Sequence, residues 1–223
     1  MTTFKPKYIT FDVYGTLIHF QIGNAARTLY ADRVPAKQMD AFVDVFTGYR
    51  RDEVLYAWQP YFNVIDNAIR RTCKRCGIEY RDGDGKTLYD LVPTWGPHAD
   101  VTAGLAKVAK EFPLVGLTNA ANEQIASNIE KIGVPFHAVY TAESAQSYKP
   151  QMKAFEYMFD QLNCGPEDVL HVSSSMRYDL MTAHDMGIKH KVFVQRGHEP
   201  GTPYYEYTEI ADIGGLAAVV GLK

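Results

Sequence analysis

From residue 96 onward, short apolar runs alternate with amphipathic stretches, the order that specifies a parallel sheet with helices packed on both faces. The spacing predicts helices over 101–112, 122–132, 151–162 and 178–186. It predicts strands over 114–118, 138–141, 169–173 and 191–194, and a short helix near Gly215. One more strand stands far upstream. The apolar run 8–11 ends at Asp12, and Gly15 allows a sharp turn just after it. In an open α/β sheet, a residue at a strand's carboxyl end sits where such folds place their chemistry.

Residues 22–92 follow a different pattern, with long helical periodicities over 36–56 and 61–76 and no convincing strand. Pro35 and Pro60 stand where helices can begin, and Asp82-Gly83-Asp84-Gly85 reads as a strong turn. The first strand precedes this stretch and the others follow it, so the sheet must assemble across a helical insertion. The expected organisation is an α/β core from 1–18 and 93–223, with a helical cap from 19–92 lying as a lid over the sheet's carboxyl edge. No internal repeat or low-complexity segment interrupts it.

With 223 residues, 46% of them apolar and 22% charged, the chain has the composition of an ordinary globular protein. A net charge of −3 supplies no basic footprint for nucleic acid. No uncharged apolar stretch reaches about 18 residues, and no signal peptide is evident, so the expectation is a cytoplasmic protein without a membrane partner. The three cysteines, Cys73, Cys76 and Cys164, are too unevenly placed for a disulfide framework. Cys73-Lys74-Arg75-Cys76 matches half of a zinc or redox motif, but no second pair accompanies it. It reads as two cysteines on a cap helix.

Candidate chemistry sits at strand ends: Asp12, Thr118-Asn119, Lys149, and the run Ser173-Ser174-Ser175-Met176-Arg177-Tyr178-Asp179. An aspartate so placed can serve as a nucleophile. Together with Phe11-Asp12-Val13-Tyr14-Gly15-Thr16-Leu17 and Tyr148-Lys149-Pro150, these pieces resemble the haloacid dehalogenase superfamily over nearly the whole chain. The resemblance implies a Rossmann-like parallel core with an inserted cap. Most of that superfamily are magnesium-dependent phosphatases, and two departures from them matter here.

Phosphatases carry a second aspartate where this chain has Tyr14, because an alkoxide leaving group needs a proton. Phenols, with an ordinary pKa near ~10, are poor substitutes. They also carry an acidic magnesium ligand at the position of Ser174, and without it less metal charge offsets the repulsion between a carboxylate and a phosphate dianion. Both losses are tolerable if the leaving group is a halide, which departs without a proton. The Asp-x-Tyr-Gly-Thr motif resembles that of the type II haloacid dehalogenases. Tyr49-Arg50-Arg51-Asp52-Glu53-Val54-Leu55-Tyr56-Ala57-Trp58 resembles their cap helix, with Arg50 in the position of the arginine that meets the halide and Arg51 as a surface neighbour.

This resemblance implies that Asp12 attacks C2 of a short (S)-2-haloalkanoate, and that water then opens the resulting ester to give an (R)-2-hydroxy acid and free halide. Lys149 is expected to hold Asp12 ionised. Asp179 is expected to orient Lys149 or the water, with Ser173 as a hydrogen-bond partner. Thr118 and Asn119 are expected to bind substrate at a helix start, and Tyr14, Thr16, Ser174 and Ser175 also fall among the expected substrate contacts. Phe155, where those dehalogenases have a tyrosine, is expected to join Tyr14, Trp58 and Trp95 in an apolar wall. The segment 173–179 runs one residue longer than the dehalogenase pattern and has Ser175 in place of an asparagine. No cofactor or metal is implied, and a homodimer is expected.

The seven histidines show no triad or metal spacing, and His171 reads as a satisfied core residue. Three other readings stay open. They are a hydrolase of the same mechanism opening a C–N ring, as the azetidine-carboxylate hydrolases do, a phosphatase, and a binding relative without catalysis.

Overall fold

The computed structural model describes residues 4–222 and divides into two compact units, Met1–His19 with Gly96–Lys223, and Phe20–Trp95. The first contains β1 (Tyr8–Phe11), after which the chain leaves for the helical unit. There follow α1 (Ile22–Leu29), α2 (Met39–Glu53), α3 (Tyr61–Cys76) and α4 (Asp84–Leu91). The chain then returns for α5 (Val101–Val108), β2 (Leu114–Thr118), α6 (Asn122–Ile132), β3 (Ala138–Thr141), α7 (Ala142–Ala145) and α8 (Met152–Leu162). It ends with β4 (Val169–Ser173), α9 (Met181–Asp185), β5 (His190–Val194), β6 (Thr208–Ile210) and α10 (Leu216–Val219).

All six strands are parallel, in the order β3-β2-β1-β4-β5-β6. Strands β1, β2 and β4 are almost wholly buried, as strands covered on both faces must be. Phe155, Met158, Phe159 and Leu162 of α8, with Ala183 of α9, pack on Val115, Leu117 and Val169 of the sheet. Right-handed crossovers then place α5 and α6, which accompany steps in the opposite direction across the sheet, on the other face. The strand order reverses at β1. This switch point opens a crevice beyond the carboxyl ends of β1, β2 and β4, and the carboxyl end of β1 leads straight into Asp12.

Several sequence expectations shift in detail. The helix over 101–112 stops at Val108 and continues as turns, with Phe112 N–H donating to Val108 O at 3.0 Å, up to Pro113. The pattern over 36–56 resolves into a 3-10 turn, Ala36–Gln38, and α2. Helix α2 ends at Glu53, whose buried carboxylate accepts from Gln59, Asn67 and Arg71 and so ties the following turn to α3. The turn at 82–85 extends only to Gly83, at φ +96°, since Asp84 already opens α4. There the buried Asp84 carboxylate takes Tyr30 Oη and a fork of Arg33 N–H groups; against the upward push of burial, these hold it below the ordinary carboxylate range. Strand β6 was not foreseen. It is three residues long, two of them exposed, and carries no apolar run.

The largest difference lies at 176–186. Instead of one helix, Met176–Leu180 forms a π-type turn, with Leu180 N–H donating to Ser175 O, before α9 begins. Such a turn takes up one residue more than an α turn, and it falls where the sequence runs one residue longer than the dehalogenase pattern.

Candidate active site

Asp12 continues the β1 ladder, its N–H donating to Val172 O at 3.0 Å. That bond points the next residues out of the sheet, and Gly15 then turns the chain at φ +99°, a conformation that costs glycine little. The turn brings Thr16 back beneath Asp12, where Thr16 Oγ1 donates to Asp12 Oδ2 at 2.6 Å.

On its other side, Asp12 Oδ1 accepts from Lys149 Nζ at 2.8 Å. The Lys149 side chain is 1% exposed, and its ammonium spends all three hydrogens, the other two on Leu117 O (2.8 Å) and Asp179 Oδ1 (2.7 Å). Burial pushes the lysine toward neutrality, but the two carboxylates outweigh it and hold its pKa above the ordinary value. Two carboxylates sharing one cation cannot be equally compensated. Asp179 is held below the ordinary range despite its burial, by Lys149 first and then His171. Asp12 is raised, chiefly because burial penalises its charge.

Asn119, expected to contact substrate, uses its carboxamide on the chain that carries the lysine. Its Nδ2 donates to Lys149 O and its Oδ1 accepts from Lys149 N, both at 2.8 Å. Thr118 ends β2 with its hydroxyl buried and without a hydrogen-bond partner. Helix α6 begins at Asn122, as its spacing predicts, so Thr118 stands four residues upstream of it and is no helix cap.

Ser173 Oγ accepts from Ser175 N at 2.9 Å, and Ser175 Oγ caps the π-type turn by accepting from Tyr178 N at 3.1 Å. The turn delivers Asp179 inward, fully buried, with Oδ1 on Lys149 and Oδ2 buried without a partner. Hydrogen bonds therefore join Asp12, Lys149, Asp179, Thr16 and Ser174, while the Ser173 hydroxyl supports the turn through Ser175 N.

Tyr14 Oη donates to Asn128 Oδ1 on α6 at 3.0 Å. Phe155 is fully buried in the core beneath the sheet, its ring edge-on to His171 at 5.2 Å. Within the helical unit, Arg50 lies on α2 with its guanidinium 5.3 Å from the Phe20 ring and 5.7 Å from that of Phe46. Its Nη1 is buried without a hydrogen-bond partner, and so is Trp58 Nε1. Trp95 packs edge-on to Phe20 in the same unit.

Sequence reasoning overlooked three residues. His171 is more than a core histidine: Nε2 meets Asp179 Oδ1 at 3.1 Å, and Nδ1 meets Thr10 Oγ1 at 2.8 Å. A carboxylate only accepts, so the Nε2 hydrogen faces Asp179. The signal was present, since His171 and Ser173 share a face of β4 at a spacing of two. Glu199 accepts from Met176 N (2.7 Å) and Arg177 N (3.2 Å), clasping the turn that carries Asp179. His198 Nε2 lies 3.1 Å from Ser174 Oγ. Nothing in the spacing of these two residues marks them.

The donors do not suit a magnesium ion, which prefers carboxylates and waters. Both carboxylates are held by Lys149, and Ser174 offers a neutral hydroxyl already engaged by Thr16 and His198.

Residues 85–193 match the family described as haloacid dehalogenase-like hydrolase. Over this stretch, just under half of its length, the chain is similar to that family. It is 25% identical over 191 residues to an (S)-2-haloacid dehalogenase of Pseudomonas putida, covering 80% of each chain. It is 26% identical over 184 residues to haloacetate dehalogenase H-2 of Moraxella sp. (strain B), covering 77% of this chain and 78% of that one. The L-2-haloacid dehalogenase of Xanthobacter autotrophicus with chloropropionic acid covalently bound superposes with a TM-score of 0.78. That match is 19% identical and covers 98% of this chain and 100% of the other, and the likeness shows the shared fold. Among the described residues, no helix is long and apolar enough to cross a membrane.

Proposed function

We propose that this protein hydrolyses short (S)-2-haloalkanoates to (R)-2-hydroxy acids through an ester on Asp12. The observation that carries this reading is the company Asp12 keeps. It has a buried cation on one oxygen and a hydroxyl donor on the other, while Tyr14 and Ser174 stand where a phosphatase needs carboxyl groups. Such a site can make a nucleophile but offers no proton to a leaving group, which suits a halide.

Asp12 attacks C2 opposite the carbon–halogen bond, and the halide leaves with the bonding pair. Thr118 Oγ1, a buried hydroxyl lacking a partner, is assigned to the substrate carboxylate. The resemblance assigns Arg50 to the departing halide, and its partnerless Nη1 is a donor in want of an anion. Asp179 Oδ2, also without a partner, is suited to orient the water that attacks Cγ of the Asp12 ester by accepting a hydrogen bond from it. The alcohol oxygen of the product then comes from Asp12, and the configuration at C2 is inverted once.

The test is a halide-release screen on chloro-, bromo- and fluoroacetate and both 2-chloropropionates, with single turnovers in heavy-oxygen water. Halide release from the (S)-2-chloropropionate with unlabelled first-turnover product is expected, followed by label in Asp12. Label in the first-turnover product would refute the covalent route. Magnesium-dependent hydrolysis of p-nitrophenyl phosphate without halide release would replace it with a phosphatase.

A further inference from the structure

Each turnover of a hydrolytic dehalogenase must release a proton, and in this site that proton cannot leave through the lysine. When water opens the Asp12 ester, a bond forms from the water oxygen to Cγ and the bond from Cγ to the product oxygen breaks. One water hydrogen goes to the departing alkoxide and the other remains on Asp12 as a carboxylic acid. For the next attack the acid must ionise. Lys149 carries three hydrogens, all donated, and accepts none. Burial meanwhile favours retention of the proton by Asp12.

The other Asp12 oxygen opens onto a continuous chain of exchangeable groups. Asp12 Oδ2 lies 2.6 Å from Thr16 Oγ1, which lies 2.9 Å from Ser174 Oγ, which lies 3.1 Å from His198 Nε2. Thr16 and Ser174 are buried, whereas His198 is exposed. Ser174 N–H also donates to Thr16 Oγ1 at 2.8 Å and fixes the geometry of the middle link. Each hydroxyl both donates and accepts, so the chain can run in either sense. Imidazole is the side chain suited to exchanging protons with water near neutrality.

We infer that His198 is the proton exit of the site, joined to the nucleophile by Thr16 and Ser174. Asp12 gives its proton to Thr16, Thr16 gives its own to Ser174, Ser174 gives its own to His198 Nε2, and the imidazolium loses one to bulk water. No oxidant or further reactant is needed. Atoms balance overall, with haloacid and water going to hydroxy acid, halide and a proton. In this account, serine at the position where a phosphatase holds an acidic metal ligand has a use of its own, as the middle of a wire. His198 touches no substrate and acts through its neighbours.

The inference rests on the haloacid reading, and the experiment separates the two. His198→Gln keeps a nitrogen donor for Ser174 but carries no exchangeable proton through it, and His198 is exposed enough for added imidazole to replace it. In rapid-quench assays on (S)-2-chloropropionate, the variant should release about one halide per active site at the wild-type rate. Steady turnover should then fall by about a hundredfold, the lower end of proton-transfer effects. Imidazole should restore that phase. Ser174→Ala should slow the same phase, and the double variant should be no slower than the worse single one. Unchanged steady turnover in His198→Gln, or a slowed burst, overturns the exit alone. No halide from the wild-type protein overturns the haloacid reading and the exit with it.

Discussion

Replacing Lys149 with methionine separates the electrostatic role of the lysine from its packing, because the two side chains are similar in length and the lysine is 1% exposed. The change removes three hydrogen bonds, at 2.8, 2.8 and 2.7 Å, and leaves two carboxyl groups buried without their cation. Breaking a buried ion pair in this way costs about 3–5 kcal/mol, or about 6–20 °C in melting temperature for a chain of this size. The loss must also depend on pH. In the wild type, Asp179 is held below its ordinary range, so its stabilisation is present above the unfolded-state pKa and is lost only as pH falls through the depressed folded value. Without Lys149, both carboxyl groups sit above their unfolded values. They are then best tolerated protonated, at low pH, and they destabilise the fold as pH rises. Urea unfolding at pH 5 and pH 8 reads the difference directly. Lys149→Met should approach wild-type stability at pH 5 and fall well below it at pH 8. Adding Asp179→Asn should recover roughly 1–3 kcal/mol at pH 8. Equal penalties at the two pH values, or no penalty at pH 8, would refute the shared-cation account.

Asp12→Asn should release no halide yet melt at or above the wild-type temperature at pH 8. The raised Asp12 pKa means that its buried charge costs stability as pH rises, and asparagine carries none; a melting temperature several degrees lower would contradict this. Thr118→Val should leave stability unchanged or slightly higher, because the hydroxyl it removes has no partner in the fold. If Thr118 holds the substrate carboxylate, KM should rise about tenfold with kcat little changed, as expected for a lost hydrogen bond to a charged group. Gly15→Ala should cost about 1–3 kcal/mol by thermal melting. The added Cβ would meet His198 only at ordinary contact distance, so the loss would come from backbone at φ +99°.

The convergence of Asp12, Lys149 and Asp179 was legible in the sequence, because each belongs to a motif at or beyond a strand end and a parallel sheet gathers those ends at its switch point. What escaped depended on distances no local pattern encodes. His198 and Glu199 reach the site through the turn after β5, and their partners at 174–177 are more than twenty residues away. Asn119 was legible as a site residue but not in its use, since clamping Lys149 requires the register between two segments thirty residues apart. The π-type turn at Met176–Leu180 carries no mark in the residue pattern, which reads there as the approach to an ordinary helix.

The position of β1 has a consequence for how the molecule is made. Its partners are Leu114–Gly116 on one side and Val169–Val172 on the other, so the central strand is synthesised first and then waits for more than a hundred residues before either neighbour exists. Closing so long a loop is slow when the intervening chain is loose. Here it is filled by α1 to α4, whose contacts are local and can form while synthesis continues. Once folded, that helical unit shortens the effective loop that β1 must close and lowers its entropic cost. Destabilising α2 or α3 should therefore slow formation of a sheet to which neither helix contributes a strand.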